Sequence, residues 1–186
     1  MKFFIIHGSI GNPNSHWFPW LKDQLIAQGH EAFAPAFPNP PNQSLDNWMK
    51  EFAPLLDQVD EETVFIGHSL APAFILSILE KLNTPIKACY FISGFLGSIG
   101  DEEYDPINKT FTEKEFNFDK IKQNCNKFVC FASDNDPYVP FKKMKDFAKE
   151  LDSEFIVVKG AEHFQDNSGF TSFEQLLKKI KDAQNI

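Results

Sequence analysis

Short apolar runs recur along the 186-residue chain and alternate with longer stretches in which apolar residues follow helical spacing. Most of the short runs are continuous, which is typical of strands that are buried on both faces. They predict six strands, at residues 2–6, 31–33, 63–66, 86–92, 127–132 and 154–158. The helical spacing predicts five helices, at about residues 17–28, 45–59, 72–82, 141–151 and 173–180.

The alternation of strand and helix predicts an α/β fold. Right-handed crossovers would build a mostly parallel sheet of about six strands, with helices on both faces, as a three-layer sandwich. The length fits one domain over residues 1–186. In such a fold, ligands collect beyond the carboxyl ends of the strands, so the residues that follow each strand are the first candidates for function.

Composition narrows the possible partners and location. The net charge is −8, and all eighteen basic residues are lysines, so nucleic-acid binding and binding to acidic membranes are not expected. The amino-terminal apolar run is too short for a signal peptide, and no run is long enough to cross a bilayer. We therefore expect a cytoplasmic location and no membrane insertion. The three cysteines lack C-x-x-C spacing, which favours buried free thiols over disulfides or metal ligands.

One serine lies where a strand is predicted to turn into a helix. The segment TVFIGHSLAPAF, residues 63–74, places Ser69 after Gly67 and before Ala71. The turn motif of serine hydrolases is G-x-S-x-G, so Ala71 departs from it by one methyl group. Taken alone, Ser69 fits a nucleophile on a strained turn and a helix N-cap about equally well.

Two further residues make the nucleophile the better interpretation. A serine hydroxyl needs a histidine to take its proton and a carboxylate to orient that histidine. Asp134 and Asp136 both follow the fifth predicted strand; Asp136 is preferred because it lies just before a proline-limited helix start, whereas Asp134 fits a turn. His163 follows the sixth strand and is interpreted as the general base.

The backbone around the serine supplies candidates for an oxyanion hole. One N–H donor is expected from Leu70, and a second from Ser9 or Ile10 in the loop after the first strand. His7 is expected to brace that loop, and His68 to pack or hydrogen-bond beside the serine. The histidine and glycine spacings indicate no zinc site, dinucleotide fingerprint or phosphate loop, so neither a metal nor a cofactor is expected.

Four segments together resemble a known family. They are IIHGSIGNPNSHWFPWL, FIGHSLAPAFIL, ASDNDPYVPF and VKGAEHF, and they span nearly the whole chain. The set resembles the small serine hydrolases typified by retinoblastoma-binding protein nine, within the α/β-hydrolase superfamily, whose triads run in the order Ser, Asp, His. The resemblance implies a triad of Ser69, Asp136 and His163 on a compact sheet that lacks the first two strands of larger relatives.

The expected activity is that of a carboxylesterase-like serine hydrolase that acts on a small acyl substrate. Thioesters and amides are the other bonds that such an enzyme would cleave. The alternative is a binding protein of the same fold with little or no turnover, and no protein partner is indicated. Residues 94–126 leave room for only a minimal lid or crossover. Phe95, Trp17 and Phe164 are candidates for the substrate pocket, although bracing of the first helix is the favoured role for Trp17.

Overall fold

Six strands form one parallel sheet. The computed structural model describes residues 1–183, and its strands are β1 (Lys2–Ile6), β2 (Glu31–Phe33), β3 (Thr63–His68), β4 (Ala88–Ile92), β5 (Phe128–Ser133) and β6 (Glu154–Val158). Their order in the sheet is β2-β1-β3-β4-β5-β6, and every neighbouring pair is parallel. The carboxyl ends of all six strands therefore lie at one edge of the sheet.

Seven α-helices are described. They are α1 (Phe18–Ala27), α2 (Leu45–Phe52), α3 (Ala71–Leu79), α4 (Tyr104–Thr112), α5 (Phe118–Gln123), α6 (Phe141–Glu150) and α7 (Glu174–Asp182), with short 3-10 helices at Ala53–Gln58 and Asp166–Ser168. Among residues 1–183, no helix has both the length and the apolar character needed to span a membrane.

Alternate residues of the strands face two separate cores. In β1, Phe3 and Ile5 face a core that α1 and α7 cover, whereas Phe4 and Ile6 face the core covered by the other helices. Period-two alternation explains this division, because successive side chains of a strand point to opposite faces. Both faces are apolar, so the strands read as continuous hydrophobic runs. The predicted three-layer α/β sandwich is confirmed.

The structure differs from the sequence prediction in four elements. The helix predicted over residues 45–59 ends as an α-helix at Phe52 and continues as a 3-10 helix, because Pro54 has no N–H to donate and its ring disfavours an α-helical turn before it. β4 begins at Ala88, since Ile86 forms only an isolated bridge with Cys125. Helices α4 and α5 lie within the stretch that the sequence treated only as a lid or crossover.

Strained backbone is concentrated at the carboxyl edge of the sheet. Ile10, Ser69, Ser93, Glu162 and Phe164 follow the ends of four different strands, and each has a positive φ, between 48° and 61°. Non-glycine residues rarely adopt this conformation, and it persists only where the surrounding structure enforces it. Such residues cluster at functional sites, so this edge is where the candidate chemistry must be sought.

Candidate active site

Ser69 occupies a sharp turn between β3 and α3. Its φ is 61°, and its backbone N–H donates to the Ile92 carbonyl at 2.8 Å, which ties the turn to the end of β4. The N-cap position of α3 is Leu70, so the Ser69 side chain does not cap the helix. This left-handed geometry is that of a nucleophile turn, which lifts the serine hydroxyl above the sheet.

Two glycines lie in tight contact with this turn, and a side chain at either position would force its neighbours to shift. A Cβ at Gly8 would lie 2.8 Å from the Cβ of Ser69, and one at Gly67 would lie 2.6 Å from Cδ1 of Ile75. Real Cβ atoms do not approach other heavy atoms so closely. Ala71, by contrast, is the first residue of α3 and is fully buried in the core, where its methyl group is accommodated. The departure from the G-x-S-x-G pattern therefore falls at a position where the fold has room.

His163 and Asp136 form a hydrogen-bonded pair. Nδ1 of His163 lies 2.8 Å from Oδ2 of Asp136, and both side chains are buried, with exposures of 6% and 0%. The other carboxylate oxygen of Asp136 accepts the backbone N–H groups of Tyr138 and Val139, at 2.9 Å and 3.0 Å. Asp134 accepts the N–H of Gly160 instead. Asp136 therefore orients the histidine, which leaves Nε2 as the nitrogen available for proton transfer.

The carboxylate of Asp136 is held in its charged form. Burial acts to raise the pKa of Asp136, but the hydrogen bond and charge of His163 and the N–H groups of Val139 and Tyr138 together outweigh it. The pKa lies below its usual range as a result. A residue that sequence reasoning missed contributes a further donor: the buried Ser93 hydroxyl donates to the same oxygen that contacts His163, at 2.8 Å.

Two other histidines brace the loops around Ser69. His68 is buried, and its Nε2–H donates to the backbone carbonyl of His163 at 2.8 Å; burial, with the charge of His163, holds its pKa well below 6.5. His7 donates from Nδ1 to the Gly8 carbonyl at 2.8 Å and accepts the Phe37 N–H at Nε2, at 3.0 Å. Burial lowers the pKa of His7 also. Both rings are therefore neutral and hold the neighbouring backbone in place through hydrogen bonds, His68 at His163 and His7 at Gly8 and Phe37.

The backbone donors predicted for an oxyanion hole are not equivalent. The N–H of Ile10 donates to Oε1 of Gln43 at 3.3 Å. The N–H groups of Ser9 and Leu70 have no hydrogen-bond partner in the described part of the chain. Of the two alternatives left open for the second donor, the geometry therefore favours Ser9 over Ile10.

Two cavities meet at Ser69 and His163. One has a volume of 70 Å³, and its walls include Ser9, Phe95, Tyr104, Asn108 and Tyr138. The other has a volume of 200 Å³ and lies towards the loop after β1; its walls include Gly8, Ile10, Ser15, His16 and His68. An acyl group and a leaving group on either side of one attacked carbonyl would need two such compartments.

Two of the three expected pocket residues lie elsewhere. Phe95 lines the smaller cavity, but Trp17 and Phe164 are fully buried in the core between the sheet and α1 and α7. The indole Nε1–H of Trp17 donates to the Phe164 carbonyl at 3.1 Å. Trp17 therefore braces the start of α1 against the loop that carries His163, which is the second of the roles expected from the sequence.

Metal-binding groups are not assembled in the described structure. Within residues 1–183, no three or more histidine, cysteine, aspartate or glutamate side chains are arranged to hold a metal ion. Cys89, Cys125 and Cys130 are buried and not paired with one another, which confirms the expectation of free thiols.

Comparisons with known proteins agree with this geometry. A family model described as serine hydrolase matches residues 3–182. The chain is 33% identical over 173 residues to YdeN of Bacillus subtilis (strain 168), which bears the name of a hydrolase, with 92% of this chain and 90% of YdeN covered. It is 26% identical over 166 residues to serine hydrolase RBBP9 of Rattus norvegicus, covering 89% and 84%. The crystal structure of the B. subtilis ydeN gene product superposes with a TM-score of 0.92 at 30% identity, covering 100% of this chain and 99% of that one.

Proposed function

The chain belongs to the serine hydrolase family and is an enzyme, and on that premise we propose that it cleaves carboxylic esters through an acyl-enzyme formed on Ser69. The observation that carries this proposal is the buried His163–Asp136 pair, whose histidine lines two cavities together with a serine held at φ 61°. The alternative of a binding protein without turnover has no comparable observation in its favour.

In each half of the proposed reaction, His163 acts first as a base and then as an acid. Ser69 Oγ attacks the ester carbonyl while Nε2 of His163 takes its proton, and Asp136 stabilises the imidazolium that forms. The backbone N–H groups of Leu70 and Ser9 donate to the oxyanion. His163 returns the proton to the leaving alcohol, and the acyl group stays on Ser69. Water then attacks the acyl-enzyme with His163 as base, which releases the carboxylic acid and restores the serine.

Small acyl groups suit the smaller cavity. Its volume of 70 Å³ is modest, and its walls combine Phe95 with tyrosine and amide side chains. Esters are proposed ahead of amides, because an alcohol needs less assistance to leave than an amine; thioesters are the second class to try. A scaffold of this kind supports all three reactions, so the order rests on chemistry rather than on the fold.

We also propose that residues 94–126 act as a minimal lid. Tyr104 and Asn108 of α4 line the smaller cavity, which this segment partly closes. The segment is fastened to the end of α3 at Glu80, which pairs with Lys114 and accepts the N–H of Asn117 at 2.7 Å. A lid fastened in this way would limit the acyl chain rather than open widely.

Two expectations from the sequence stay predictions. One is the cytoplasmic location. The other is a single domain over residues 1–186, of which 184–186 lie outside the described residues.

Labelling with a fluorophosphonate tests the proposed function. The wild-type protein is expected to form a covalent adduct that is absent in Ser69→Ala and strongly reduced in His163→Ala. Ser77→Ala is the control, because Ser77 is buried and its hydroxyl donates to the Ala73 carbonyl inside α3, away from both cavities. Failure of the folded wild-type protein to react would overturn the proposal.

A further inference from the structure

A buried glutamine joins the loop after β1 to the lid. Oε1 of Gln43 accepts the N–H of Ile10 at 3.3 Å. Its Nε2 lies 2.7 Å from Oγ of Ser9, 2.8 Å from Oδ1 of Asn108 and 3.3 Å from the carbonyl oxygen of Ile107. Asn108 and Ile107 belong to α4, so one side chain contacts both walls of the smaller cavity.

The partners of Gln43 fix the direction of its amide group. A backbone N–H can only donate and a backbone carbonyl can only accept, so Oε1 must face Ile10 and Nε2 must face Ile107. Nε2 cannot accept, so it shares its two hydrogens among the oxygens of Ile107, Asn108 and Ser9, and Asn108 must face it with Oδ1. The amide of Asn108 is thereby oriented with its nitrogen, Nδ2, turned away from Gln43.

The nitrogen of Asn108 is left without a protein partner. The residue is 3% exposed and lines the cavity beside Ser69 and His163, and Nδ2 makes no hydrogen bond within the described part of the chain. The hydroxyl of Ser9 accepts from Gln43, so its own hydrogen remains available in the same cavity. Nδ2 is accessible rather than sealed in the core, and Asn108 lines the cavity, so an oxygen of a ligand bound there can accept a hydrogen bond from it.

We propose that Asn108 is a specificity-determining residue that donates from Nδ2 to an acceptor oxygen in the acyl chain of the substrate. The inference rests on the proposed function and names its substrate class: short, uncharged esters with an ether or keto oxygen in the acyl group. The acyl group is uncharged because the residues that line the cavity include no lysine, aspartate or glutamate to pair with a charge.

Paired esters of equal length test this assignment. The pairs are p-nitrophenyl methoxyacetate with p-nitrophenyl butyrate, and p-nitrophenyl 3-methoxypropionate with p-nitrophenyl pentanoate. The ratio of kcat/KM within each pair is compared between variants, which cancels the intrinsic reactivity of the esters. For at least one pair, Asn108→Leu should lower the ether preference roughly three- to tenfold, the effect of losing one neutral hydrogen bond.

Asn108→Asp is the sharper variant because it preserves the contact with Gln43. One carboxylate oxygen of the aspartate still accepts from Gln43. The other oxygen replaces the Nδ2 donor by an acceptor, so the ether preference should fall at least as far as in Asn108→Leu. Thr112→Val is the matched control; Thr112 is buried one turn along α4, outside the cavity wall, and its ratio should equal that of the wild type.

The outcomes separate the two proposals. Equal ratios in the wild type, Asn108→Leu and Asn108→Asp, with butyrate turnover intact, would overturn the role of Asn108 and leave the proposed function standing. Absence of both ester turnover and fluorophosphonate labelling in the wild type would overturn the proposed function, and this inference with it. If Asn108→Leu does not fold, the ratio in Asn108→Asp decides.

Discussion

The carboxylate of Asp136 depends on contacts with residues distant along the chain. His163 and Ser93 share one of its oxygens, each at 2.8 Å, and the Ser93 backbone is itself held at a positive φ of 52°. A hydrogen bond to a charged group contributes about 1.5–3 kcal/mol, more than a bond between neutral groups. Ser93 is therefore best understood as a positioning residue that acts on His163 through Asp136.

Removal of the Ser93 hydroxyl should lower turnover more than substrate affinity. In Ser93→Ala, kcat for a butyrate ester is expected to fall about tenfold with little change in KM, because one charged hydrogen bond is lost while the cavity wall is unchanged. The control Ser77→Ala loses a buried hydroxyl inside α3 and should leave kcat near the wild-type value. Steady-state kinetics on both variants are the measurement. A rise in KM at constant kcat would contradict the positioning role.

At the scale of single residues, the sequence reveals the groups that have a recognisable chemical role. Ser69, Asp136 and His163 could be selected because each follows a different predicted strand and each fits one part of a known reaction. Ser93, Gln43 and Asn108 could not, because serine, glutamine and asparagine are common after strands and on helices. Their roles depend on contacts made 43 to 65 residues along the chain, which no local pattern encodes.

At the scale of elements, the turn from β3 into α3 decides whether the serine is presented. Its geometry depends on Gly67, which packs against Ile75 and Pro72, and on the loop after β1, which approaches Ser69 at Gly8. Ala71 lies at the first position of α3 and is fully buried. The methyl group that distinguishes it from glycine is thus part of the core and does not obstruct the turn.

Replacement of Ala71 by glycine should therefore cost stability without improving activity. Ala71→Gly is expected to lower the free energy of unfolding by about 1 kcal/mol, since glycine is less favourable than alanine in a helix. Urea unfolding and kcat/KM for a butyrate ester, measured side by side, check both parts. A several-fold gain in kcat/KM would show that the methyl group hinders the turn after all.

Element boundaries were harder to predict than element types. The five predicted helices and six strands are all present, because long apolar periodicities identify them. The end of α2 was predicted too late, because a 3-10 helix that contains Pro54 follows α2 directly and extends the helical spacing of apolar residues. Helices α4 and α5 were missed because acidic and aromatic residues between 94 and 126 give a weak helical pattern, and tertiary contacts supply the remainder.

At the scale of the whole molecule, buried neutral histidines couple folding to pH. Burial lowers the pKa of His7, His16 and His68 in the folded protein, His68 most clearly. At pH values below the ordinary histidine pKa of 6.5, these side chains are protonated in the unfolded chain but stay neutral in the folded protein. The unfolded state then binds more protons, so stability falls as pH decreases through this range.

The pH dependence of unfolding should accordingly be shallower in a variant that lacks one of these rings. The wild type is expected to lose stability steadily between about pH 7 and pH 5, by up to about 1.4 kcal/mol per pH unit for each histidine involved. His68→Gln keeps a donor near the His163 carbonyl but does not titrate, so its slope should be smaller. Urea midpoints at several pH values give both slopes. Equal slopes would show that folding does not lower the pKa of His68.

The general architecture could be predicted from the periodicity of apolar residues, but the residues that line the cavities could not. Continuous apolar strands that alternate with helices predicted the parallel sheet, and the rule for its carboxyl edge predicted where the chemistry would lie. The positions of Trp17 and Phe164 in the core, away from the cavities, depend on how α1 packs against the His163 loop. Both residues are aromatic and adjacent in sequence to site residues. The sequence alone does not distinguish such a residue in the core from one that lines the pocket.

Direct detection of the acyl-enzyme tests the central claim. The protein is mixed with p-nitrophenyl butyrate, quenched in acid during turnover, digested and analysed by mass spectrometry. The account predicts one butyryl group on the peptide that contains Ser69, and neither adduct nor turnover in Ser69→Ala. Continued turnover by Ser69→Ala, or a butyryl group on a different residue of the wild type, would contradict it.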